Sequence, residues 1–445
     1  MNTPIADFVR RYAASDAVRF HMPGHKGRPF LGCEPWDITE IAGADALYEA
    51  EGIIAESEKN AGALFGSRRT CYATEGASQC IRAMLYLAVT AGKSRTVVAA
   101  RNIHRAFISA AALLDLEVVW LWPEESRSLC GCPISEKNLE QTLSDLPEPP
   151  AAVYLTSPDY LGGMADLSAL APICHRHGVP LLVDNAHGAY LRFLHPSCHP
   201  LDLGADLCCD SAHKTLPSLT GGAYLHVSKT APEALVGRMK EAMALFGSTS
   251  PSYLILESLD LCNRYLAEDY PARLAETVER LAALRTKLAE AGWRTELSDP
   301  LRLTVSAPQG IAGWDLAARL RRSGVECEYA DPDFLVLMAT PENAPEDGAR
   351  LLQALGTSWA PTADHPPLPL ARGERVCSIR QAMFSSREIV PAAEALGRIC
   401  GAPIVGCPPA VPVAVSGERI TPEALALFTY YGMNTVEVLE EKPPV

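Results

Sequence analysis

Short, nearly unbroken apolar runs alternate with helical patterns between residues 70 and 230. TVVAA (96–100), EVVWLW (117–122), AAVYLTSP (151–158), PLLVDNA (180–186), DLCCDS (206–211) and GAYLHV (222–227) read as strands. Runs without polar alternation suit a sheet covered on both faces. Helical stretches such as DLSALAPICHRHG (166–178) fall between several of them. Strand–helix alternation predicts an α/β doubly wound sheet with mainly parallel strands. Upstream, residues 1–60 read as irregular, with a helix over 54–65. Downstream, 251–291 reads as long helix with a break at Pro271, ending at Gly292. A smaller α+β part follows, with strands near 301–307, 325–330 and 334–340 and a Pro-rich loop at 360–370. A helix over 388–398, the segment 403–418 and a last helix over 421–431 close the chain. This divides it into an N-terminal segment (1–60), a large domain (61–290) and a C-terminal α+β part (291–445).

Composition narrows the function classes. The net charge of −14 argues against a nucleic-acid surface, which needs a basic patch. There is no apolar run of membrane-spanning length, and the first residues show no apolar signal core. The 14 cysteines contain no CxxC pair and no zinc spacing. They read as reduced residues in a cytoplasmic protein, mostly packed as small apolar side chains. HMPGHK (21–26) holds two histidines, but no third ligand has fitting spacing, so no metal is expected.

Four features carry candidate chemistry. In ATEGASQC (73–80), Gly76, Ala77 and Ser78 would let backbone N–H groups and a hydroxyl approach a phosphate at a helix start. Alone, the stretch reads first as a helix start capped by Thr74 or Ser78. In RNIHRA (101–106), His104 follows a strand and is placed to stack on a flat ring. In LLVDNAHGAY (181–190), Asp184 ends an apolar strand, where a carboxylate needs a partner. A protonated pyridine nitrogen is one; a helix cap is the plainer use. Ala186 could pack on the ring face, and His187 follows. In CCDSAHKTLPSLTGG (208–222), Lys214 follows a strand, flanked by Ser211 and His213. A lysine there can form an imine with an aldehyde. Asp184 and Lys214 together make the pair that pyridoxal phosphate (PLP) chemistry requires.

FHMPGHKG (20–27), DITEIAGADALYEAEGIIAESEKNAGALFG (37–66), VDNAHGAY, SAHKTLPSLTGGAYLHV (211–227), GSTSPSYLILESLD (247–260) and LGRICGAPIVGCPPAVPVAVSGERIT (396–421) together resemble the short form of the Orn/Lys/Arg decarboxylase family. The resemblance runs in order from about residue 18 to 425. It implies a fold-type I PLP-dependent enzyme: a PLP-binding large domain with a mainly parallel sheet, plus the smaller C-terminal α+β domain. It implies Lys214 as the Schiff-base lysine, Asp184 on the pyridinium and His104 on the ring. Gly76, Ala77, Ser78, Ser211 and His213 would hold phosphate, and His187 would lie near the substrate carboxylate. It further implies a homodimer with shared active sites, or a higher assembly of such dimers. Ser248, Thr249 or Ser250 would then reach the neighbour's phosphate. Glu418, in a segment like the family's PGE turn, is placed to meet a cationic side chain. The expected reaction is decarboxylation of arginine, lysine or ornithine, with arginine favoured by the resemblance to the short forms.

Four positions depart from the pattern. Glu75 stands where asparagine is usual, and Asn185 replaces an acidic residue. Ala410 and Ser416 replace glycine and proline. Two other readings stay open. One is different PLP chemistry, such as transamination, which would need an arginine on the retained carboxylate; Arg380 and Arg387 are available. The other is a non-catalytic PLP-binding protein.

Overall fold

The computed structural model describes residues 1–92, 94–296, 299–358, 360–362, 367–406 and 409–440. The fold is α/β with a mainly parallel seven-stranded sheet. Its strands are β1 (Arg69–Ala73), β2 (Thr96–Ala100), β3 (Glu117–Leu121), β4 (Ala152–Thr156), β5 (Leu181–Asp184), β6 (Leu207–Asp210) and β7 (Ala223–Val227), in the order β1-β7-β6-β5-β4-β2-β3. The expected strands from 96 to 227 all form. β5, β6 and β7 are buried at every position, which is why their sequences lack polar alternation.

The chain forms two compact units. The first holds residues 1–93, 151–153 and 167–275. It begins with α1 (Pro4–Ala13) and α2 (Ile53–Phe65). The reading of 1–60 as irregular therefore missed α1, a short amphipathic helix whose Ile5, Ala6 and Val9 are buried. α2 stops at Gly66, whose φ of +68° suits glycine, and a side chain there would run into Arg192. β1, also missed, pairs antiparallel with β7 at the sheet edge. β5 and β6 run parallel in the register Val183↔Cys208 and Asp184↔Cys209, and β6 pairs antiparallel with β7. The long helix expected after 251 is two, Tyr253–Ala267 and Tyr270–Glu290. The break precedes Pro271, which sits in the first turn of the second, where a missing N–H costs nothing.

The second unit holds residues 94–150, 154–166 and 276–445. β2 and β3 pair in parallel there. β8 (Arg302–Ser306), β9 (Tyr329–Ala330) and β10 (Phe334–Met338) form an antiparallel sheet in the order β8-β10-β9. The helix expected over 388–398 is instead β11 (Arg387–Pro391), followed by a single 3-10 turn. Ile389 and Val390 favour extended backbone, and β14 (Thr435–Leu439) supplies the pairing partner. Between them lie β12 (Ile404–Val405) and β13 (Pro412–Ala414). Ile404, Val413, Phe428, Val436 and Val438 share one core cluster. Every cysteine among the described residues is a free thiol, and most are buried. No described helix is long and apolar enough to cross a membrane.

Candidate active site

The first unit holds most of the expected residues, several of them at the ends of β5 and β6. Asp184, the last residue of β5, is 3% exposed. Its carboxylate accepts the Ala186 N–H at 3.1 Å and the Cys209 thiol at 3.6 Å. Pleating explains the thiol: Cys209 is the register partner of Asp184, so the two share a face. Ala186 is half-buried and His187 buried, in the turn that follows.

β6 ends at Asp210, and Ser211 leads into a short helix, Ala212–Thr215, that carries Lys214. Lys214 is half-buried, and its Nζ lies 2.6 Å from His187 Nε2. An amine and an imidazole at this distance can pass a proton. Ser211 Oγ lies 3.5 Å from His213 Nδ1, which also lies 3.3 Å from the Gly221 nitrogen and 3.1 Å from the Gly222 oxygen.

Gly221 links this loop to the third expected element. Its carbonyl accepts the Gly76 N–H at 2.8 Å. Gly76 is the N-cap of the 15-residue helix Ala77–Ala91, with φ +72° and no side-chain cap. A Cβ built on it meets nothing within 4 Å. An uncapped helix start with open space before it is suited to an anion. Ala77 and Ser78 form its first turn. Glu75, one of the departures, accepts the Ser248 N–H. That contact holds the exposed 248–250 loop, with Thr249, beside the same helix start. A half-buried lysine, a buried carboxylate and an open helix N-terminus are a donor set that fits PLP: imine, ring nitrogen and phosphate.

Two expected residues lie in the second unit. His104 caps helix Arg105–Leu114, its Nδ1 accepting the Ala106 N–H at 3.1 Å. Glu418 is 5% exposed and accepts Arg101 at 3.0 Å and the Val415 N–H at 2.8 Å. Burial pushes its carboxyl up, against the pull of Arg101. Arg101 lies over the rings of Trp120 and Trp122. Sequence reasoning missed Arg101 although it opens the quoted RNIHRA stretch; a buried arginine after a strand is itself a signal for a carboxylate partner. The arginines that transamination would need are engaged within this unit. Arg380 donates to the Ala112 and Leu113 carbonyls, and Arg387 pairs with Glu437 at 3.0 Å.

The model of the Orn/Lys/Arg decarboxylase major domain matches residues 3–304. Among curated proteins, the uncharacterized protein YaaO of Bacillus subtilis (strain 168) is 30% identical over 96% of this chain and 93% of its own length. Arginine decarboxylase of the same organism is 28% identical over 95% and 92%. Among solved structures, the constitutive lysine decarboxylase of E. coli superposes with a TM-score of 0.79 at 17% identity, over 99% of this chain and 82% of that one. At that identity the likeness speaks for the fold.

Proposed function

Since the chain belongs to the Orn/Lys/Arg decarboxylase family, we propose that it removes CO₂ from a basic amino acid, arginine in the first place, with PLP carried on Lys214. The contact that carries this reading is Lys214 against His187, one turn from the buried Asp184. The choice of arginine rests on the near full-length match to arginine decarboxylase.

In this proposal Asp184 holds a proton on the cofactor's ring nitrogen. Ala186 would pack against the ring. The helix start at Gly76, Ala77 and Ser78, with Ser211 and His213, holds the phosphate. When bound, PLP supplies an electron sink for the pair released from the Cα–carboxylate bond. His187 and Lys214, already within proton-transfer distance, would deliver one proton to Cα in place of the departing carboxylate. The carboxylate leaves as CO₂ and the amine product keeps the substrate's cationic side chain.

We assign the cofactor to residues 61–290 as the large domain, and place the enzyme in the cytoplasm as a homodimer with shared active sites. Phe20, Phe30, Leu31 and Val18 support the dimer: at 94%, 91%, 82% and 78% exposed, they are apolar side chains of the kind a second copy would cover. Thr249 would then reach the neighbour's phosphate. Borohydride reduction of the PLP-loaded protein, followed by peptide mass mapping, tests the assignment. The peptide containing Lys214 gains the cofactor's mass if it holds; a label on another lysine, or none, contradicts it.

A further inference from the structure

β5 and β6 have a second face. In β6, Cys209 points with Asp184, so Cys208 and Asp210 point the other way. His226 of β7 is the register partner of Cys208. On this reverse face Asp210 Oδ2 lies 3.0 Å from His199 Nε2 and 3.3 Å from His226 Nε2. Asp210 Oδ1 accepts the Asn185 side-chain amide at 2.7 Å. Asn185, His199, Asp210 and His226 are all 0% exposed. Thr70 Oγ1 supports His226 Nδ1 at 2.7 Å, and Ser67 supports Thr70 at 2.8 Å.

A carboxylate removed from water keeps its charge only where donors replace the solvent. Asp210 has them from Asn185 and His199, with His226 at 3.3 Å. The contact to Asn185 joins two strand ends that matter for chemistry: Asn185 directly follows Asp184, and Asp210 directly precedes the Ser211–Lys214 turn. The backbone ladder continues between them, Asn185 N–H to Cys209 carbonyl at 3.0 Å. A slip of one residue in β5 would turn Asp184 away from its face, and a slip in β6 would turn Asp210 away from Asn185.

We propose that Asp210, gripped by His199, His226 and Asn185, is a positioning residue that fixes Asp184 and Lys214 toward the cofactor. This rests on the reading of Lys214 and Asp184 given above. It also accounts for Asn185: an acid there would set two buried carboxylates against each other, whereas an amide donates. Cys208 Sγ lies 4.0 Å from His199 Nε2, so the cluster has the makings of a metal site. But His199 Nδ1 accepts the Leu201 N–H at 3.4 Å, which leaves the ring proton on Nε2, directed at Asp210. The cluster is a clamp: His199 and Asn185 hydrogen-bond Asp210, and His226 stands 3.3 Å from the same carboxylate.

The test compares the full-length wild type with Asp210→Asn, Asn185→Asp and the double variant. PLP affinity is read by absorbance titration, the bound cofactor's absorbance against pH, and the cofactor-free protein by thermal melting. Asp210→Asn is expected to melt cooperatively, bind PLP about tenfold more weakly and shift the absorbance–pH profile. Asn185→Asp is expected to bind still more weakly. The double variant, with acid and amide exchanged, should recover part of that loss. Wild-type affinity and an unshifted profile in folded Asp210→Asn would overturn the proposal. So would a double variant no better than Asn185→Asp, or a stoichiometric metal ion in the wild type. If Asp210→Asn does not fold, Asn185→Ala decides: about threefold weaker PLP binding supports the clamp, unchanged binding overturns it. A wild type that takes up no PLP overturns the functional reading beneath it, before any variant is read.

Discussion

On one face of the β5–β6 pair, Asp184 meets a backbone amide and a thiol; on the other, Asp210 meets two imidazoles and a carboxamide. Both carboxylates are buried and both end a strand. They differ in what surrounds them. Asp210 is enclosed by Asn185, His199 and His226, whereas Asp184 stands at the head of the turn that carries His187, whose ring meets Lys214. A carboxylate meant for stability is closed in by its own chain. One meant for a ligand is held in place beside the residues that would bind that ligand.

Substitutions can sharpen or erase this contrast. The largest expected effect is at Lys214: Lys214→Ala should lower decarboxylation by about 10³-fold or more, with little change in melting temperature, since the side chain is only half-buried. Asp184→Asn should lower kcat by about 10²-fold with a small stability cost. Asp210→Asn should reverse the balance, with about a tenfold loss in cofactor affinity and a clear drop in melting temperature. Equal destabilisation by the two asparagine variants would erase the comparison.

Acid titration separates the faces further. Burial alone would raise the Asp210 carboxyl, but His199 and His226 outweigh it and hold the carboxyl below its ordinary value of 3.8. A depressed folded-state pKa means stability that is present above about pH 4 and lost as pH falls below it. Wild type should therefore exceed Asp210→Asn in denaturant midpoint at pH 7, with the gap narrowing toward pH 3. A gap that persists would contradict the charged clamp.

Two smaller effects lie in the second unit. Arg380→Ala should leave turnover within about twofold of wild type, because Arg380 serves helix carbonyls. A large loss would favour transamination. Ala410→Gly should stabilise by about 1 kcal/mol in denaturant unfolding: Ala410 has a φ of +60°, a conformation that suits the glycine usual at this position.

The sheet strands from 96 to 227 were legible because burial on both faces leaves an unbroken apolar run. β1, β11 and β14 were not, since short edge strands are defined by their partners rather than by their own pattern. The stretch around 388–398 has helix-forming alanines and glutamates, and pairing with β14 overrides them. In the site, Lys214, Asp184 and His187 could be read because strand-end chemistry and a family pattern coincide there. The Asp210 clamp could not. Its residues lie at 185, 199, 210 and 226, and they meet only through the register of β6 with β7 and the path of the chain between β5 and β6. Arg101 and Glu418 are likewise separated by most of the chain.

The most direct test incubates the PLP-loaded protein with arginine, lysine, ornithine and a wider amino-acid panel, measuring CO₂ and identifying products by mass. The account predicts CO₂ with the matching amine from a basic amino acid, arginine foremost, and loss of both in Lys214→Ala. Consumption of the amino acid without CO₂, or a keto acid as product, would contradict it.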